Sequence, residues 1–335
     1  MANRIALVLG ATGTIGGAVA RRLQGRGWQV RALHRTITAN RVGDWQWLRG
    51  DAMNREDVVG AARGTDAIVH AVNPPGYRHW DKVALPMLDN AIAAARASGA
   101  RLLLPGNVYN FGPDAFPVID ERAPQHPTTR KGAVRAAMEQ RLGEAAADGV
   151  RSLVVRAGDF FGGGGNSSWF SHVIVKPGRP VRGIVVPWRV GVGHQWAYVP
   201  DLAETMTRLL ERSADLPPFA VFHTAGHWDA DGTALVSAIA RAVCRDRLKV
   251  RRFPWPAVRL LAPVVPLFRE LAEMRYLWDV PVRLDNSRLR AVLGEEPQTP
   301  LDLAVARTLG EMGCIAGPGV DVAGCPAPDE AARSR

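Results

Sequence analysis

The sequence predicts an α/β fold, a doubly wound parallel sheet of about seven strands with a smaller C-terminal lobe. Three observations carry this. Ile5-Ala-Leu-Val-Leu9 is an unbroken apolar run, the pattern of a strand buried on both faces. It passes directly into Gly10-Ala-Thr-Gly13-Thr-Ile-Gly16 and then into a helical spacing with Val19 and Leu23 on one side. Beyond it, short apolar runs alternate with helix-patterned segments as far as Thr224, as successive β-α-β units require.

Size and composition narrow the class. A chain of 335 residues holds one large α/β unit or two lobes. No apolar run is long enough to span a membrane. Met-Ala-Asn-Arg leads straight into the first strand and leaves no room for a signal peptide, so a cytoplasmic protein is expected. Net charge is +10, from 42 basic and 32 acidic residues. No Lys/Arg run or nucleic-acid motif accompanies it, so neither nucleic acid nor membrane is an expected partner. The expected partner is a small-molecule substrate, and the expected state a monomer or homodimer. Cys244, Cys314 and Cys325 lack metal-ligand spacing, which predicts reduced thiols and no metal.

Strand, glycine turn and helix together make a phosphate seat. Glycines let the backbone approach an anion, and the helix N-terminus offers unpaired N–H groups and partial positive charge. Gly10, Thr12, Gly13, Thr14, Ile15 and Gly16 are the candidate residues. A second strand, Trp28–Leu33, ends at His34-Arg35, with no Asp or Glu before Asp44. An acidic residue at that point would bind a ribose 2′-hydroxyl, whereas an arginine suits a 2′-phosphate. Arg31, His34 and Arg35 therefore predict NADP(H), with NAD(H) less favoured.

A third strand, Trp45–Leu48, leads to Gly50-Asp51-Ala52, and residues 57–62 form a short helix. Asp66–Val72 is the fourth strand, with His70 a structurally bonded strand residue. The loop after it, with Tyr77, His79 and Trp80, lies over the carboxyl edge of the sheet, where ligands of open α/β sheets bind. A helix from about Val83 to Ser98 stops at Gly99. Arg101–Leu104 and Val150–Arg156 are the fifth and sixth strands. Asp201 is the expected N-cap of a helix over Leu202–Arg212, and Phe219–Thr224 the seventh strand. From Phe253 to Leu277 four prolines break an apolar stretch into short helices forming a lid or lobe wall, with a membrane-surface stretch as the alternative.

Several segments together resemble the short-chain dehydrogenase/reductase superfamily in its extended, epimerase/dehydratase-like branch. They are the glycine turn in its G-x-x-G-x-x-G spacing, Gly50-Asp51, His70-Ala71-Val72, Val108-Tyr109, Arg156-Ala-Gly158, Val199-Pro-Asp201-Leu-Ala203 and Leu284 to Leu301. The resemblance covers roughly residues 4–312. It implies a Rossmann-type sheet and a nicotinamide cofactor, with the Asp51 carboxylate on the adenine amino group and Ala52, Ala71 and Val72 along the cofactor.

The chain also departs from that pattern. Pro105 stands where a Ser/Thr is expected, and none of Tyr77, Tyr109, Tyr198 and Tyr276 has a lysine four residues later, so the Tyr-x-x-x-Lys dyad is absent. The expected helix instead carries Lys131-Gly-Ala-Val-Arg135-Ala-Ala-Met-Glu139. This is similar to the atypical isoflavone-reductase-like and NmrA-like branch, whose helix-opening lysine is the acid/base group. The resemblance implies that role for Lys131, which also touches the cofactor. Tyr109, at a strand end, is the second candidate. Arg135 shares a helix face with Lys131, tunes it, and is spaced to pair with Glu139.

Ten tryptophans suggest an apolar or aromatic substrate. Tyr77, Trp80, Phe161, Trp169 and Trp196 are the candidate contacts. The expected division is 1–165 as dinucleotide-binding core, with strands returning at about 190–230, 166–312 mostly as substrate-binding lobe, and 313–335 as a flexible tail. The expected function is an NADPH-dependent reductase of a carbonyl, activated alkene or related electrophile. The alternatives are a nucleotide-sugar epimerase or dehydratase and a non-catalytic NADP(H)-sensing regulator.

Overall fold

The computed structural model describes residues 4–37, 44–73, 80–165 and 168–315. The chain opens with β1 (Ile5–Leu9), α1 (Thr14–Gly25), β2 (Gln29–His34), β3 (Gln46–Arg49), α2 (Arg55–Ala61), β4 (Ala67–His70), α3 (Trp80–Ser98) and β5 (Arg101–Asn107). Next come β6 (Val118–Ile119), α4 (Arg130–Ala147) and β7 (Ser152–Ala157). Helix starts follow local chemistry. The Asn54 side chain accepts from the Glu56 and Asp57 amides at the head of α2, and Thr129 Oγ1 accepts from the Gly132 amide at the head of α4.

The next part of the chain carries β8 (Asp159–Phe161), β9 (Gly183–Val186), β10 (His194–Tyr198), α5 (Val199–Glu211) and β11 (Phe219–His223). It continues through β12 (His227–Asp229), α6 (Ala234–Ala242), β13 (Lys249–Arg252), α7 (Trp255–Leu261), α8 (Pro266–Glu273), α9 (Tyr276–Asp279), β14 (Arg283–Leu284), α10 (Ser287–Leu293) and α11 (Leu301–Glu311). The prolines break residues 253–279 into the three short helices α7, α8 and α9, as expected. Among the described residues no helix is long and apolar enough to cross a membrane.

Two compact units result. The first comprises Met1–Gly158, Val199–Gly226 and Arg283–Pro297; the second comprises Asp159–Tyr198, His227–Val282 and the chain from Gln298. The first unit holds a seven-stranded sheet in the order β11-β7-β5-β4-β1-β2-β3, with every pairing parallel. Its apolar strand residues Leu7, Leu9, Ile68, Leu102, Leu104 and Val154 pack with Val58 of α2, Leu88 and Ile92 of α3, and Met138 and Leu142 of α4. Helices α1 and α5 pack on each other outside that cluster. There Glu204 of α5 is held by Arg22, Arg26 and Arg208. The predicted doubly wound parallel sheet of seven strands is the observed one.

Several boundaries shift by one to three residues, and two of the differences bear on the site. Strand β5 runs three residues past its expected end, through Pro105 and Gly106. Its pairing with β4 stops at Leu103, before the proline, while pairing with β7 continues to Asn107↔Ala157. Asp201 is not an N-cap, because α5 begins at Val199 and places Asp201 in its first turn, where a carboxylate still suits the helix dipole.

In the second unit β10 pairs parallel to β8 and antiparallel to β12, and β13 pairs parallel to β9. Its core is aromatic: Phe161, Phe170, Trp188, Trp196, Trp255 and Trp278 are all buried. The reduced state expected of all three cysteines is corrected at Cys244, which is disulfide-bonded, while Cys314 is a buried free thiol.

Candidate functional site

The strand order reverses at β1, with β2 on one side and β4 on the other, and crevices at such a switch point hold ligands. The glycines sit at this point and are sterically required. Gly10 has φ +89°, and a Cβ there would lie 2.5 Å from the Ala71 carbonyl oxygen. A Cβ on Gly16 would lie 2.3 Å from the Gly10 carbonyl oxygen. Gly13, which donates its amide to Gly10 O at 2.9 Å, is the N-cap of α1 and supplies no capping side chain. No acidic residue stands in the first turn of α1. A helix start without a side-chain acceptor, beside an open glycine turn, has the donor set an anion needs. Thr12 and Gly13 are exposed there, Thr14 and Ile15 half-buried, and Gly16 buried.

The neighbouring strand ends complete the rim. Ala71 donates its amide to Leu9 O at 2.9 Å, so Ala71 and Val72 run beside the glycine turn. At the end of β2, His34 Nδ1 lies 3.0 Å from the Thr36 amide, and Arg35 is exposed. Beyond β3, the Asp51 amide donates to Asp57 and Asp51 Oδ1 accepts from the Met53 amide at 3.0 Å. Ala52 O accepts from Asn90 Nδ2 at 2.9 Å.

Arg31 is a correction. Its guanidinium donates to Gln46 Oε1, to Ala61 O and, at 2.6 Å, to Arg63 O. It is spent on the C-terminal end of α2, where a cation complements the helix dipole. Of the three residues expected to bind an anion at the end of β2, His34 and Arg35 remain the candidates.

The sheet edge at β5 gathers the acid/base candidates. Tyr109 sits in a 3-10 turn, Val108–Asn110, capped by Asn107, whose Oδ1 accepts from the Tyr109 amide at 3.0 Å. The start of α4 packs directly on it: a Cβ on Gly132 would lie 2.2 Å from the Tyr109 carbonyl oxygen. Lys131, next to Gly132, is 7% exposed, which is low for a lysine and takes it off a solvated helix face. One turn on, Arg135 Nη1 donates to Pro105 O at 3.1 Å. Burial, reinforced by the Arg135 charge, pushes the His70 imidazole down to about 3. Among the described residues His70 Nδ1 has no hydrogen-bond partner, so its expected structural bond is not made there at that atom.

Glu139 does not pair with Arg135. It accepts from Arg156 Nε at 3.0 Å and Arg156 Nη2 at 2.5 Å, and the two side chains are 3% and 2% exposed. Arg156 Nη1 also donates to His223 Nε2 at 2.8 Å, while His223 Nδ1 donates to Ile119 O. Burial, with the Arg156 charge adding to it, lowers the His223 imidazole to about 3. On the other side Gln125 Nε2 donates to Glu139, and Asn110 Nδ2 donates to Gln125 Oε1 at 2.9 Å. A buried polar chain thus ties the Tyr109 turn to α4 and to the ends of β7 and β11.

The fold agrees with that of known proteins. The family model "NAD dependent epimerase/dehydratase family" matches residues 6–223, about two thirds of the chain. The chain belongs to this family. Among solved structures, the UDP-glucose 4-epimerase of Brucella ovis in complex with NAD superposes with a TM-score of 0.71 at 17% identity, over 91% of this chain and 97% of that one. The Thermus thermophilus UDP-glucose 4-epimerase complex with NAD gives 0.68 at 20% identity, over 92% and 98%. At these identities the likeness shows the fold. Among curated proteins, a Streptomyces 3-diazoavenalumate denitrifying reductase is 30% identical over 174 residues, 47% of this chain and 57% of its own length. The UDP-glucose 4-epimerase of Streptomyces lividans is 29% identical over 167 residues, 44% and 50%. The chain spans about half the length of the curated relatives it matches.

In this epimerase/dehydratase-family chain the expected substrate contacts fare unevenly. Tyr77 lies outside the described residues, and Trp80 opens α3. Phe161 and Trp196 are corrections, each being 1% exposed. Phe161 packs on Phe170, Tyr198 and His227, and Trp196 on Trp188, His194 and Trp278. Their ring surface is spent on the core of the second unit. Trp169 is half-buried and meets Trp278 edge-on at 5.1 Å. The buried Glu139–Arg156–His223 chain is what sequence reasoning missed. Its signal was an arginine after the apolar run Leu153-Val-Val155, with Gly106 on the paired strand to make room: a Cβ on Gly106 would lie 2.7 Å from Arg156 Cγ.

Proposed function

We propose that this chain is an NADPH-dependent reductase of a carbonyl, activated alkene or related electrophile carried on a fairly apolar small molecule. The cradle that a Cβ would fill at Gly10 and Gly16, with the uncapped start of α1 beside it, fits a dinucleotide pyrophosphate. Gly10, Thr12, Gly13, Thr14, Ile15 and Gly16 would hold the phosphates, Ala71 and Val72 would line the passage, and Asp51 and Ala52 would meet the adenine. His34 and Arg35 at the end of β2, with no carboxylate among residues 29–37, favour a 2′-phosphate. The bound nicotinamide would supply or accept hydride.

The observation that carries the reaction type is Lys131-x-x-x-Arg135 on α4, in the helix where the Tyr-x-x-x-Lys dyad is absent. An ammonium and a guanidinium offer donors and no acceptor. Such a pair suits giving a proton to, or polarising, the oxygen or carbon that becomes negative on reduction. It does not suit taking a hydroxyl proton, the opening step of an epimerase or dehydratase, and Pro105 leaves no Ser/Thr hydroxyl to assist. Tyr109, on the turn against which α4 starts, is the second donor. The reductase among the curated relatives supports this direction, and the epimerase of near-equal identity supports the alternative.

The test is NADPH oxidation against a panel of enones, ketones and imines, with Lys131→Met and Tyr109→Phe compared. We expect Lys131→Met to lower turnover by about 10²–10⁴-fold, the range for a positioned acid/base group, while NADPH still binds. Copurifying NAD together with turnover of a UDP-sugar would overturn the reading in favour of an epimerase. Tight NADPH binding with no turnover across the panel would favour a sensing role.

A further inference from the structure

The helical hairpin α7–α8 in the second unit is apolar on both its inner and its outer side. Trp255 and Val258 of α7 are buried in the aromatic core, and Phe268 and Leu271 of α8 pack against it. The outward residues are also apolar: Leu260 is 78% exposed, Leu261 43%, Val264 81% and Leu267 63%. These four fall within eight consecutive positions, whereas the other exposed large apolar side chains are scattered. A solvated helix places polar residues on its outer face. The tip is also well ordered by hydrogen bonds, since Leu261 O accepts from the Val264 amide at 3.1 Å and the Val265 amide at 2.9 Å. Four apolar side chains are thus held outward on a bonded turn, not released by fraying.

The charge around the tip indicates what covers it. Arg259 and Arg269 flank it and are exposed, as are Arg251 and Arg252 on β13. From Lys249 to Arg275 there are six basic and two acidic residues, and the whole chain carries +10. The two acids, Glu270 and Glu273, are half-buried and engaged within the protein. A second copy would bring the same arginine-rimmed patch onto itself. An anionic lipid surface takes both features at once: the apolar tip enters the headgroup boundary and the arginines stay at the phosphate level.

We propose that the α7–α8 tip docks this protein on anionic membrane surfaces. This departs from the expectation of no membrane partner and takes up the membrane-surface alternative for residues 253–277; surface docking needs no spanning segment. It stands apart from the proposed activity, because the cofactor cradle belongs to the other unit.

Co-sedimentation of the full chain with phosphatidylcholine vesicles, with and without phosphatidylglycerol, tests it at physiological salt. The expected result is binding that needs phosphatidylglycerol. It should fall by on the order of tenfold or more in Leu260→Ser/Val264→Ser/Leu267→Ser and in Arg259→Gln/Arg269→Gln. NADPH titration should remain unchanged in both variants, which reports an intact fold. Undiminished sedimentation of the triple serine variant would mean that net charge alone drives binding, and would overturn the proposal. So would equal binding to neutral vesicles, no binding at all, or a wild-type dimer that the triple variant dissolves, which would make the patch an interface between copies.

Discussion

Removing the Glu139 carboxylate probes the internal frame of the site most severely. In Glu139→Ala the Arg156 guanidinium, 2% exposed, keeps its charge and loses two hydrogen bonds, and Gln125 loses a third. The neutral His223 ring remains as a partner for Nη1 but brings no charge. Breaking a buried ion pair from one side costs about 3–5 kcal/mol, because the surviving charge stays desolvated. That is a large part of the ~5–15 kcal/mol that holds a domain folded. Glu139→Leu/Arg156→Met removes both charges together, and we expect it to cost at least about 2 kcal/mol less than the sum of the single variants. Urea unfolding followed by far-UV circular dichroism gives the four corners of this cycle. A single-variant loss below about 1 kcal/mol, or strict additivity, would refute the reasoning.

Two further outcomes follow from the geometry. Gly13→Val should cost only modest stability, because a Cβ there meets only Gly10 O, at a tight 3.3 Å that a shift of a few tenths of an ångström relieves, yet lower NADPH affinity by about tenfold or more by filling the anion seat, as read by nucleotide fluorescence. Stability should fall as pH drops from about 6.5 to 3, since His70 and His223 are held neutral down to about 3 in the fold while the unfolded chain takes up those protons near 6.5. The unfolded state then binds more protons, so each histidine adds a slope approaching about 1.4 kcal/mol per pH unit in that window, and His223→Asn should flatten the curve; an unchanged slope would contradict this.

Most of the sheet was legible because its strands are buried on both faces, so apolar runs such as Ile5–Leu9 and Leu102–Leu104 mark them without ambiguity. The glycine turn was legible because close backbone approach leaves a spacing in the sequence. Side-chain destinations were less so. Arg31 and Arg35 look equivalent in the sequence, but residue 31 points at the end of α2, a partner about thirty positions away. Glu139 offered a near neighbour in Arg135, and the longer-range Arg156 won because both are buried and can make a two-bonded pair. Trp196 and Phe161 read as cleft residues by position, and only the packing of the second unit reveals them as core.

In the proposed reading, the cofactor seat of the dinucleotide fold is tuned to a 2′-phosphate by the end of β2. Its most direct test is the ratio of NADH to NADPH dissociation constants in the wild type, in Arg31→Ala and in Arg35→Ala. We expect NADPH to bind at least about tenfold tighter, a difference of about 1.4 kcal/mol, with the ratio kept in Arg31→Ala and largely lost in Arg35→Ala. Tighter binding of NADH by the wild type, or a ratio that Arg35→Ala leaves untouched, would contradict it.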